Sequence, residues 1–466
     1  MDIKMVVSGS LCEITPWFPE LSTMLTYTRR EFVDKYGRLS TTPEITRETM
    51  FSQHGVSSAM FPAGMLRRVK HYLISRGHSV TVEDRRPLAE LMPTPDFTKV
   101  EKLRERQDAV LLAVASNTGG LLVGGTGVGK SFLIKQICLM YPTLRIMVVS
   151  PRKAVVNTLS GNLKEAFPAG MVGTITGDCN DGPDRRITVT TDKSMLKADM
   201  ERCDLLLFDE VHNVGFNLVA TAVASMTRAR KFGFTATPDG RSDGADVIME
   251  ALFGPVLVDI PYTEAVDKNL VVPIEVHLYR VPGEMKFQVE GKMPVTRRRW
   301  AYWRHTERNK LIANIARRCG DEQVLIIVET LEHGMYLKQL LPEFLLVYAS
   351  GSKADLPEEY RMSPKQLEQA RKDFAAGKLR KAIATMTWKE GVDFKELSVL
   401  IRADAATSAI LGEQIPGRLS RLAENKTVGV LVDFDDAYLG WALGRSRKRV
   451  KLYSSIGWKI IRKRVP

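Results

Sequence analysis

The sequence predicts an α/β fold with two consecutive domains, each a mostly parallel sheet flanked by helices, behind a small α/β N-terminal domain. The chain has 466 residues, which is too long for one hydrophobic core. Short apolar runs that end in glycine or polar turns alternate with helical patterns along most of it. Turn-rich or polar joints separate these runs into groups at 93–96, 282–294 and 433–436.

The apolar runs fall into two series. Each series predicts one buried parallel sheet, because strands covered on both faces read as continuous apolar runs. The candidate strands of the first series are 120–123, 145–149, 187–190, 204–208 and 231–234. Those of the second series are 324–328, 344–348, 381–385, 399–401 and 428–432. We therefore expect domains at 1–95, 96–275 and 276–440, followed by a basic extension at 441–466.

The N-terminal domain is predicted from a helix and a following strand. Leu66, Val69 and Leu73 recur at the spacing of one helix face, and an alternating pattern follows the helix. Arg67 and Arg68 lie off that apolar face. We interpret them as candidate contacts to a duplex DNA arm, with a solvated surface as the alternative.

Composition and charge restrict the class of protein. Hydrophobic residues make up 44% and charged residues 26%, as in ordinary globular proteins. The formal net charge of +13 suits a partner rich in phosphates. Segment 441–466 is basic and has no acidic residue. Such a run either contacts nucleic acid or keeps a surface solvated.

The cysteine pattern and the apolar runs restrict the cellular setting. The five cysteines are scattered, which argues against a structural zinc and against a disulfide framework. The apolar runs are too short to cross a bilayer, and the N-terminus lacks the pattern of a signal peptide. We expect a cytoplasmic protein, in the host cytoplasm if the chain is viral, with no membrane partner.

Residues 124–131 fit the phosphate-binding pattern G-x-x-x-x-G-K-[ST], after a predicted strand and before a predicted helix. In such a loop, backbone N–H groups face the phosphates and the helix N-terminus adds positive potential. Lys130 is expected to bind the β- and γ-phosphates of ATP, and Ser131 to ligate Mg²⁺. The predicted ATP contacts of the loop are Gly125, Thr126, Gly127, Val128, Gly129, Lys130 and Ser131.

The acidic pair Asp209-Glu210 directly follows the predicted strand 204–208. A carboxylate at the carboxyl end of a strand, near the phosphate loop, is placed to hold Mg²⁺, and we assign this role to Asp209. Glu210 is then placed to orient and polarise the attacking water. His212 is interpreted as a polar link between the ATP site and the next strand.

These two patterns resemble motifs I and II of superfamily-two helicases, and further elements follow in the order of that family. Thr235 and Thr237 stand in a Thr-Ala-Thr-Pro segment that resembles motif III, which couples hydrolysis to nucleic-acid binding. Gln414 opens a segment that matches the QxxGRxxR pattern of motif VI. The resemblance implies that Arg418 and Arg421 of this motif reach the γ-phosphate across a cleft. It covers roughly 103–436 and implies two tandem RecA-like domains of the P-loop NTPase class.

The same resemblance assigns further contacts. Residues 103–107 fit the LRxxQ element, which implies that Gln107 reads adenine and that Arg104 beside it also contacts ATP. Gly391 and Asp393 belong to a segment that resembles motif V and are placed on the nucleotide side. The residues implied in DNA contacts are Pro151, Arg152, Thr190, Thr191 and Thr387.

Shorter segments at 252–255, 371–377 and 445–453 resemble the DNA-directed branch related to XPB, RecG and phage UvsW. Segment 61–86 resembles the small N-terminal domain of the UvsW-like phage helicases, which is similar to a duplex-DNA-binding module. Gln414 in place of the histidine typical of DEAD-box RNA helicases also favours DNA. The resemblance implies an ATP-dependent DNA helicase that moves 3′ to 5′. It would unwind or remodel forks and Holliday junctions in recombination, replication or repair.

Other functions stay open at this point. They are a duplex DNA translocase of the restriction-motor type, an RNA helicase and an ATP-gated DNA clamp without processive movement. We expect ATP and Mg²⁺ as cofactors and single-stranded, branched or duplex DNA as the partner. Single-strand-binding or recombination proteins are further candidate partners, and a monomer is expected.

The basic aromatic stretch 297–305 allows two interpretations. Its rings and arginines could line a DNA channel, since bases stack on aromatic side chains. Alternatively, a helix packs Trp300 and Trp303 into the second domain with the arginines outward. We favour the packing interpretation.

Overall fold

The computed structural model describes residues 1–33, 39–55, 57–86, 92–125, 127–181, 184–214, 218–236, 246–283, 294–349, 356–385, 388, 394–407, 415–424 and 426–464. The main division between its two compact units falls between Pro261 and Tyr262. This is earlier than the boundary near 275 that the sequence predicted. Tyr262 already belongs with the second unit, because its hydroxyl accepts a hydrogen bond from the N–H of Ile274 at 2.6 Å.

The N-terminal domain combines a five-stranded sheet with an amphipathic helix. Its strands are β1 (Asp2–Ser8), β2 (Leu11–Thr15), β3 (Thr26–Val33), β4 (Leu39–Thr49), β5 (Ser52–His54), β6 (Ser58–Pro62) and β7 (Ser79–Asp84). Its helices are α1 (Leu21–Met24) and α2 (Leu66–Ser75). The sheet order is β5-β6-β2-β1-β7, while β3 and β4 form a separate antiparallel hairpin. Val69 and Leu73 are buried in the core of this domain, as the helical spacing predicted.

The first unit also contains a seven-stranded parallel sheet. Its strands are β8 (Gly119–Gly124), β9 (Ile146–Ser150), β10 (Val172–Ile175), β11 (Ile187–Thr191), β12 (Leu205–Asp209), β13 (Arg230–Thr235) and β14 (Val256–Ile260). The accompanying helices are α3 (Gln107–Ser116), α4 (Lys130–Met140), α5 (Lys153–Ala166), α6 (Leu218–Ser225) and α7 (Asp246–Phe253). The order is β10-β11-β9-β12-β13-β8-β14. Because these strands run parallel, the phosphate loop after β8 and Asp209 at the end of β12 lie along one edge of the sheet.

The second unit contains another seven-stranded parallel sheet. Its strands are β15 (Ile274–Arg280), β16 (Val324–Ile327), β17 (Leu345–Val347), β18 (Lys381–Ala384), β19 (Val399–Arg402), β20 (Gly429–Asp435) and β21 (Lys459–Lys463). The helices are α8 (Tyr262–Asp267), α9 (Pro294–Arg298), α10 (Thr306–Arg318), α11 (Leu331–Leu340), α12 (Pro364–Ala375) and α13 (Gly440–Ile456). The order is β17-β18-β16-β19-β20-β15-β21. The two RecA-like domains and the small α/β N-terminal domain are thereby confirmed.

The basic segment 441–466 is part of the second domain, which corrects the expectation of a separate extension. Helix α13 buries Arg449, whose Nε donates to Oδ2 of Asp433 at 2.8 Å. Tyr453 of the same helix is fully buried, and β21 pairs with β15 at the edge of the sheet. The hydrophobic core of the second domain therefore needs this segment.

The basic aromatic stretch packs into the second domain. A π-helix spans Arg299–Trp303, and Tyr302 and Trp303 are buried within it. The packing interpretation is thus confirmed for Trp303, whereas Trp300 stays half-buried. Among the residues that the structure describes, no helix is long and apolar enough to cross a membrane.

Candidate functional site

The loop after β8 has the backbone geometry of a phosphate-binding loop. Gly127 and Gly129 have φ values of 96° and 97°, in the left-handed region that glycine adopts without strain. Helix α4 begins at Lys130, so the N–H groups of its first residues have no helical carbonyl to bond. Its first turn contains no acidic residue, which leaves the positive potential of the helix end available to an anion.

Gln107 lies beside this loop. Its side chain is fully buried, and its Oε1 accepts a hydrogen bond from the backbone N–H of Arg104 at 3.0 Å. A Cβ atom at Gly129 would come within 2.9 Å of Nε2 of Gln107. The residue that the resemblance implied in adenine recognition is therefore held next to the phosphate loop, and its contact with adenine stays a prediction.

Strand β12 places two carboxylates in succession at the same edge of the sheet. Asp209 is its last residue and is buried. Glu210 has a φ of 54°, a left-handed conformation that costs about 1 kcal/mol or more for a residue other than glycine. The chain then enters a 3-10 helix at Val211–Asn213. Backbone strain of this kind concentrates at functional sites, where the surrounding structure holds it.

Lys130, Glu210, His212 and Thr235 form a connected polar group. Nζ of Lys130 lies 3.7 Å from Oε1 of Glu210, and Oε2 of that carboxylate lies 3.4 Å from Nδ1 of His212. The same Nδ1 lies 3.1 Å from Oγ1 of Thr235. His212 and Thr235 are buried. Three segments far apart in the sequence thus meet in one group, with His212 in the linking position that the sequence predicted.

Burial and neighbouring charges set the ionisation of the two acids. Burial raises the pKa of Asp209 to about 7, and the charge of Glu210 adds to this rise. Burial acts on Glu210 in the same sense, but Lys130, His212 and Arg152 outweigh it and lower the pKa of Glu210. Glu210 therefore keeps its negative charge at neutral pH. A divalent cation beside Asp209 would favour the ionised form of that carboxylate too.

Asp209 has the features of a magnesium ligand. Its Oδ1 is buried and has no hydrogen-bond partner in the described part of the chain. A buried polar atom without a partner is costly, and a bound cation would satisfy it. Mg²⁺ usually takes one or two carboxylates and completes its shell with water and substrate phosphates. Asp209 and the exposed hydroxyl of Ser131 fit this set of donors.

The predicted DNA contacts of the first domain leave the sheet at the same edge. Strands β9 and β11 are neighbours, with Ser150 opposite Thr191, so the residues that follow them adjoin. Thr190 is fully buried, and its hydroxyl donates to the carbonyl of Thr191 at 3.1 Å. Thr191, Pro151 and Arg152 are half-buried. A bound strand could therefore reach these three side chains more readily than that of Thr190.

The two arginines of motif VI have different surroundings in the second domain. Arg418 is buried in the 3-10 helix Pro416–Ser420, and its Nη1 donates to the carbonyl of Trp388 at 2.5 Å. Its guanidinium also lies over the ring of Phe394, at 5.7 Å. Arg421 follows the helix and is half-buried. Arg418 is thus anchored within its own domain.

The remaining predicted site residues lie outside the described residues: Thr126, Thr237, Thr387, Gly391, Asp393 and Gln414.

Sequence reasoning missed the partner of Arg68. Its guanidinium donates two hydrogen bonds to Glu250 of α7, one of them from Nε to Oε1 at 3.0 Å. Arg67 is exposed and has no ion pair with a described residue. No local pattern could have revealed this pair, because its members are 182 positions apart.

Two known families match successive parts of the chain. Residues 99–240, which include the phosphate loop and the acidic pair, match the family “Type III restriction enzyme, res subunit”. Residues 306–423, which include motif VI, match “Helicase conserved C-terminal domain”. The chain belongs to the superfamily-two helicases. This superfamily comprises ATP-driven helicases and translocases of nucleic acids.

Three relatives are helicases or translocases by name. The helicase is 24% identical to “Probable helicase D10” of Escherichia phage T5, over 84% of this chain and 82% of that protein. It is 26% identical to helicase 22 of Sulfolobus islandicus filamentous virus over 51% of this chain. It is 27% identical to “DNA 3′-5′ translocase XPB2” of Sulfurisphaera tokodaii over 41% of this chain. The last two matches cover less than half of those proteins, 43% and 42%.

Solved structures share the fold of the helicase. Helicase Lhr of Mycobacterium smegmatis, bound to single-stranded DNA and AMP-PNP, has a TM-score of 0.54 at 18% identity, over 76% of this chain and 48% of that one. Dbp5 of S. cerevisiae, bound to RNA and ADP BeF3, has a TM-score of 0.55 at 12% identity, over 79% of this chain and 91% of that one. UvsW of phage T4 matches 100% of this chain and 99% of its own, at 17% identity and a TM-score of 0.44.

Proposed function

We propose that this helicase hydrolyses ATP at the phosphate loop and uses the cycle to unwind or remodel branched DNA, such as forks and Holliday junctions, moving 3′ to 5′. The observation that carries the proposal is the connected group Lys130–Glu210–His212–Thr235 beside the unsatisfied Oδ1 of Asp209. This group joins a phosphate-binding lysine to the strand end that leads into motif III.

The chain's own residues can bind and orient the reactants of hydrolysis. The N–H groups of the loop and the ammonium of Lys130 stabilise the phosphate charge. As the oxygen of water bonds to the γ-phosphorus, the bond from that phosphorus to the β,γ-bridging oxygen breaks, and ADP leaves with the electron pair. Glu210 accepts a hydrogen bond from the water and so orients it, and the proton departs with the inorganic phosphate. The lowered pKa of Glu210 keeps its carboxylate charged for this role.

Ser131 and Asp209 are the residues that would hold Mg²⁺. When bound, this ion neutralises charge on the β- and γ-phosphates. The burial of Asp209 restricts the access of water to its carboxylate. Arg421 is proposed as the arginine finger of the second domain, and Arg418 as a positioning residue that binds the backbone carbonyl of Trp388.

Thr235 is the proposed route from hydrolysis to nucleic acid. Loss of the γ-phosphate changes the partners of Lys130 and Glu210, and the Glu210–His212–Thr235 contacts carry that change to the end of β13. Motif III begins at this residue. Movement along DNA then follows from changes in how Arg152, Thr191 and their neighbours grip the backbone.

DNA is the proposed substrate for four reasons. The net charge of +13 suits a polyphosphate partner. Gln414 replaces the histidine typical of DEAD-box RNA helicases, and a relative is named as a DNA 3′-5′ translocase. Exposed Arg67 on the N-terminal domain offers a phosphate contact for a duplex arm. The chain is proposed to act as a monomer on single-stranded and branched or duplex DNA.

A duplex translocase of the restriction-motor type is the second candidate. The match of residues 99–240 to a restriction-enzyme subunit family favours it. Such a motor would move along duplex DNA without separating its strands.

Strand-displacement assays on forks and four-way junctions test the proposal, with triplex displacement as the assay for duplex translocation. We expect ATP-dependent release of strands that disappears in Lys130→Ala and with a non-hydrolysable ATP analogue. Triplex displacement without strand separation would support the second candidate instead. ATPase activity that no DNA stimulates would contradict both.

A further inference from the structure

A half-buried tryptophan of the second domain has two arginines against its ring. Trp441 lies in the first turn of α13, and the Cζ atoms of Arg297 and Arg445 are 5.5 Å and 5.2 Å from the centre of its ring. At these distances the indole attracts each guanidinium through its π electrons. We name this group of three residues the Trp441 platform.

The two cations of the platform lack a carboxylate partner among the described residues. The Nε atoms of Arg297 and Arg445 are buried and have no hydrogen-bond partner there. Arg445 donates from Nη2 to the backbone carbonyl of Ala405 at 3.1 Å, and its charge acts on Glu329 from beyond ion-pair distance. Two like charges held on one ring in a partly dehydrated position favour the approach of an anion.

The neighbouring arginines of the basic aromatic stretch are neutralised. Both oxygens of Glu332 are engaged, by Arg299 at 2.9 Å and by Arg304 at 2.6 Å. Glu329 binds Arg298 at 2.6 Å. The acids of this region therefore pair with three arginines and leave the platform positively charged. On a uniformly solvated basic surface, we would not expect ion pairs at these three arginines and none at the two arginines of the platform.

Buried contacts fix the platform in place. The ring of Trp441 packs 5.8 Å from the ring of Tyr302, which is fully buried. The hydroxyl of Tyr438 donates to the carbonyl of Ala301 at 2.6 Å and so ties the start of α13 to the π-helix. One turn beyond Arg445, the buried Arg449 binds Asp433. The two guanidiniums are thus held in position before any ligand arrives, which lowers the entropy cost of binding.

The platform lies at the carboxyl edge of the second sheet. Trp441 follows the end of β20, and Ala405, the acceptor of Arg445, follows the end of β19. These two strands are parallel neighbours, so their ends share one edge. The segment through Ala405 continues in sequence toward Arg418 and Arg421.

We propose that the Trp441 platform binds the phosphodiester backbone of a single nucleic-acid strand, as a contact separate from the helicase motifs. The inference rests on the proposed function, since it adds a grip on the same nucleic acid. A phosphate beside the two guanidiniums accepts charge-assisted hydrogen bonds from their Nη atoms. The indole edge offers apolar surface to the adjoining sugar or base.

Salt-dependent binding of a fluorescent oligothymidylate, measured without nucleotide, tests the platform. Arg297→Gln and Arg445→Gln should each raise Kd roughly tenfold at low salt and reduce the log–log salt slope by about 0.7, the value of one phosphate contact on a single strand. The matched control is Arg304→Gln, which removes a cation already paired with Glu332 and should leave the slope unchanged. Oligouridylate should report the same change, because the phosphate is common to both probes.

A ring variant separates the platform from a general loss of charge. Trp441→Leu should weaken binding as the arginine variants do, whereas Trp441→Tyr, which keeps an aromatic face, should restore part of the affinity. Thermal denaturation identifies a Trp441 variant that has lost its fold. In that case the salt slopes of the two arginine variants test the proposal. Salt slopes of Arg297→Gln and Arg445→Gln that equal the wild-type slope would overturn the platform. Because nucleotide is absent, this result does not depend on whether the chain hydrolyses ATP, and an absence of ATPase activity would count against the proposed function alone.

Discussion

Arg68 of the N-terminal domain and Glu250 of the first RecA-like domain form a two-bonded ion pair. The backbones approach closely at the same place, since a Cβ atom at Gly64 would overlap the carbonyl oxygen of Glu250. Arg67, the next residue along α2, is exposed. Two adjacent arginines therefore differ in their surroundings, since one joins two domains and the other is exposed.

Arg68→Ala should destabilise the docking of the N-terminal domain by about 1 kcal/mol, because a bidentate but partly exposed ion pair is lost. Arg67→Ala should leave the free energy of unfolding unchanged and weaken the binding of four-way junctions. Calorimetric unfolding and gel-shift titration measure the two effects. If both variants lose junction binding equally at unchanged stability, both arginines contact DNA.

Glu210→Gln should bind ATP and hydrolyse it very slowly, because the amide keeps the side-chain shape and loses the charge that orients water. Lys130→Ala should lose turnover together with nucleotide affinity, since Lys130 is the proposed direct contact to the phosphates. Fluorescent-nucleotide binding and phosphate release separate the two variants. A Glu210→Gln protein that binds ATP as poorly as Lys130→Ala would assign Glu210 a role in binding.

Arg421→Ala should lower ATP turnover by about 10³ or more at nearly unchanged melting temperature, as expected for an arginine finger. Arg418→Ala should lower the melting temperature as well, because its buried guanidinium anchors the carbonyl of Trp388. Steady-state ATPase assays and thermal denaturation give both readouts. Full turnover in Arg421→Ala would move the finger role to Arg418.

Arg449→Ala should destabilise the second domain by about 3–5 kcal/mol, since it leaves Asp433 buried without its ion-pair partner. Arg447→Ala is the matched control in the same helix, because Arg447 is exposed. Urea denaturation compares the two variants. Equal stability of both would mean that water replaces the guanidinium beside Asp433.

Lys231 of β13 makes the first unit sensitive to pH. Its amine donates to Oγ of Ser10 at 2.9 Å, beside a cavity of about 620 Å³ between the N-terminal domain and the parallel sheet. Burial lowers the pKa of Lys231 to about 8, with Cys203 opposing and Arg86 reinforcing the change. The unfolded chain therefore holds this proton more tightly than the folded one. The resulting loss of stability is complete below pH 8 and disappears as the pH rises toward the unfolded pKa of about 10.4.

Lys231→Met should raise the free energy of unfolding at neutral pH by up to about 3 kcal/mol, since the cost of burying the charge disappears. The advantage over the wild type should shrink as the pH rises from 8 toward 10. Ser10→Ala is the contrasting variant and should destabilise at neutral pH, because the buried ammonium loses its acceptor. Denaturation at a series of pH values tests this, and a difference independent of pH would contradict it.

The central strands of both parallel sheets could be predicted because each is a continuous apolar run. Strand β21 was missed, since Lys459 and Lys463 give it the charged character of an edge strand. The buried face of α13 was missed because an arginine and a serine occupy positions where an apolar pattern would have indicated burial. Ala442, Ser446, Arg449 and Tyr453 recur on one face of that helix and are buried together.

The candidate ATP site could be proposed from the sequence where its residues are contiguous. The phosphate loop and the acidic pair are short patterns with a chemical reason for their spacing, so Lys130 and Glu210 could be assigned directly. The Arg68–Glu250 pair and the Trp441 platform could not, because their members are far apart in the chain. Tertiary packing decides which arginines form ion pairs with carboxylates and which do not.

The pairing of β21 with β15 sets an order for folding during synthesis. Every strand of the first unit, through β14, is made before residue 261, so this unit can fold while the rest of the chain is still being translated. The second sheet can be completed only after Lys463 has been added, because β21 then pairs with the edge of β15. Until then the nascent second domain exposes the unpaired backbone edge of β15, which could pair with another chain.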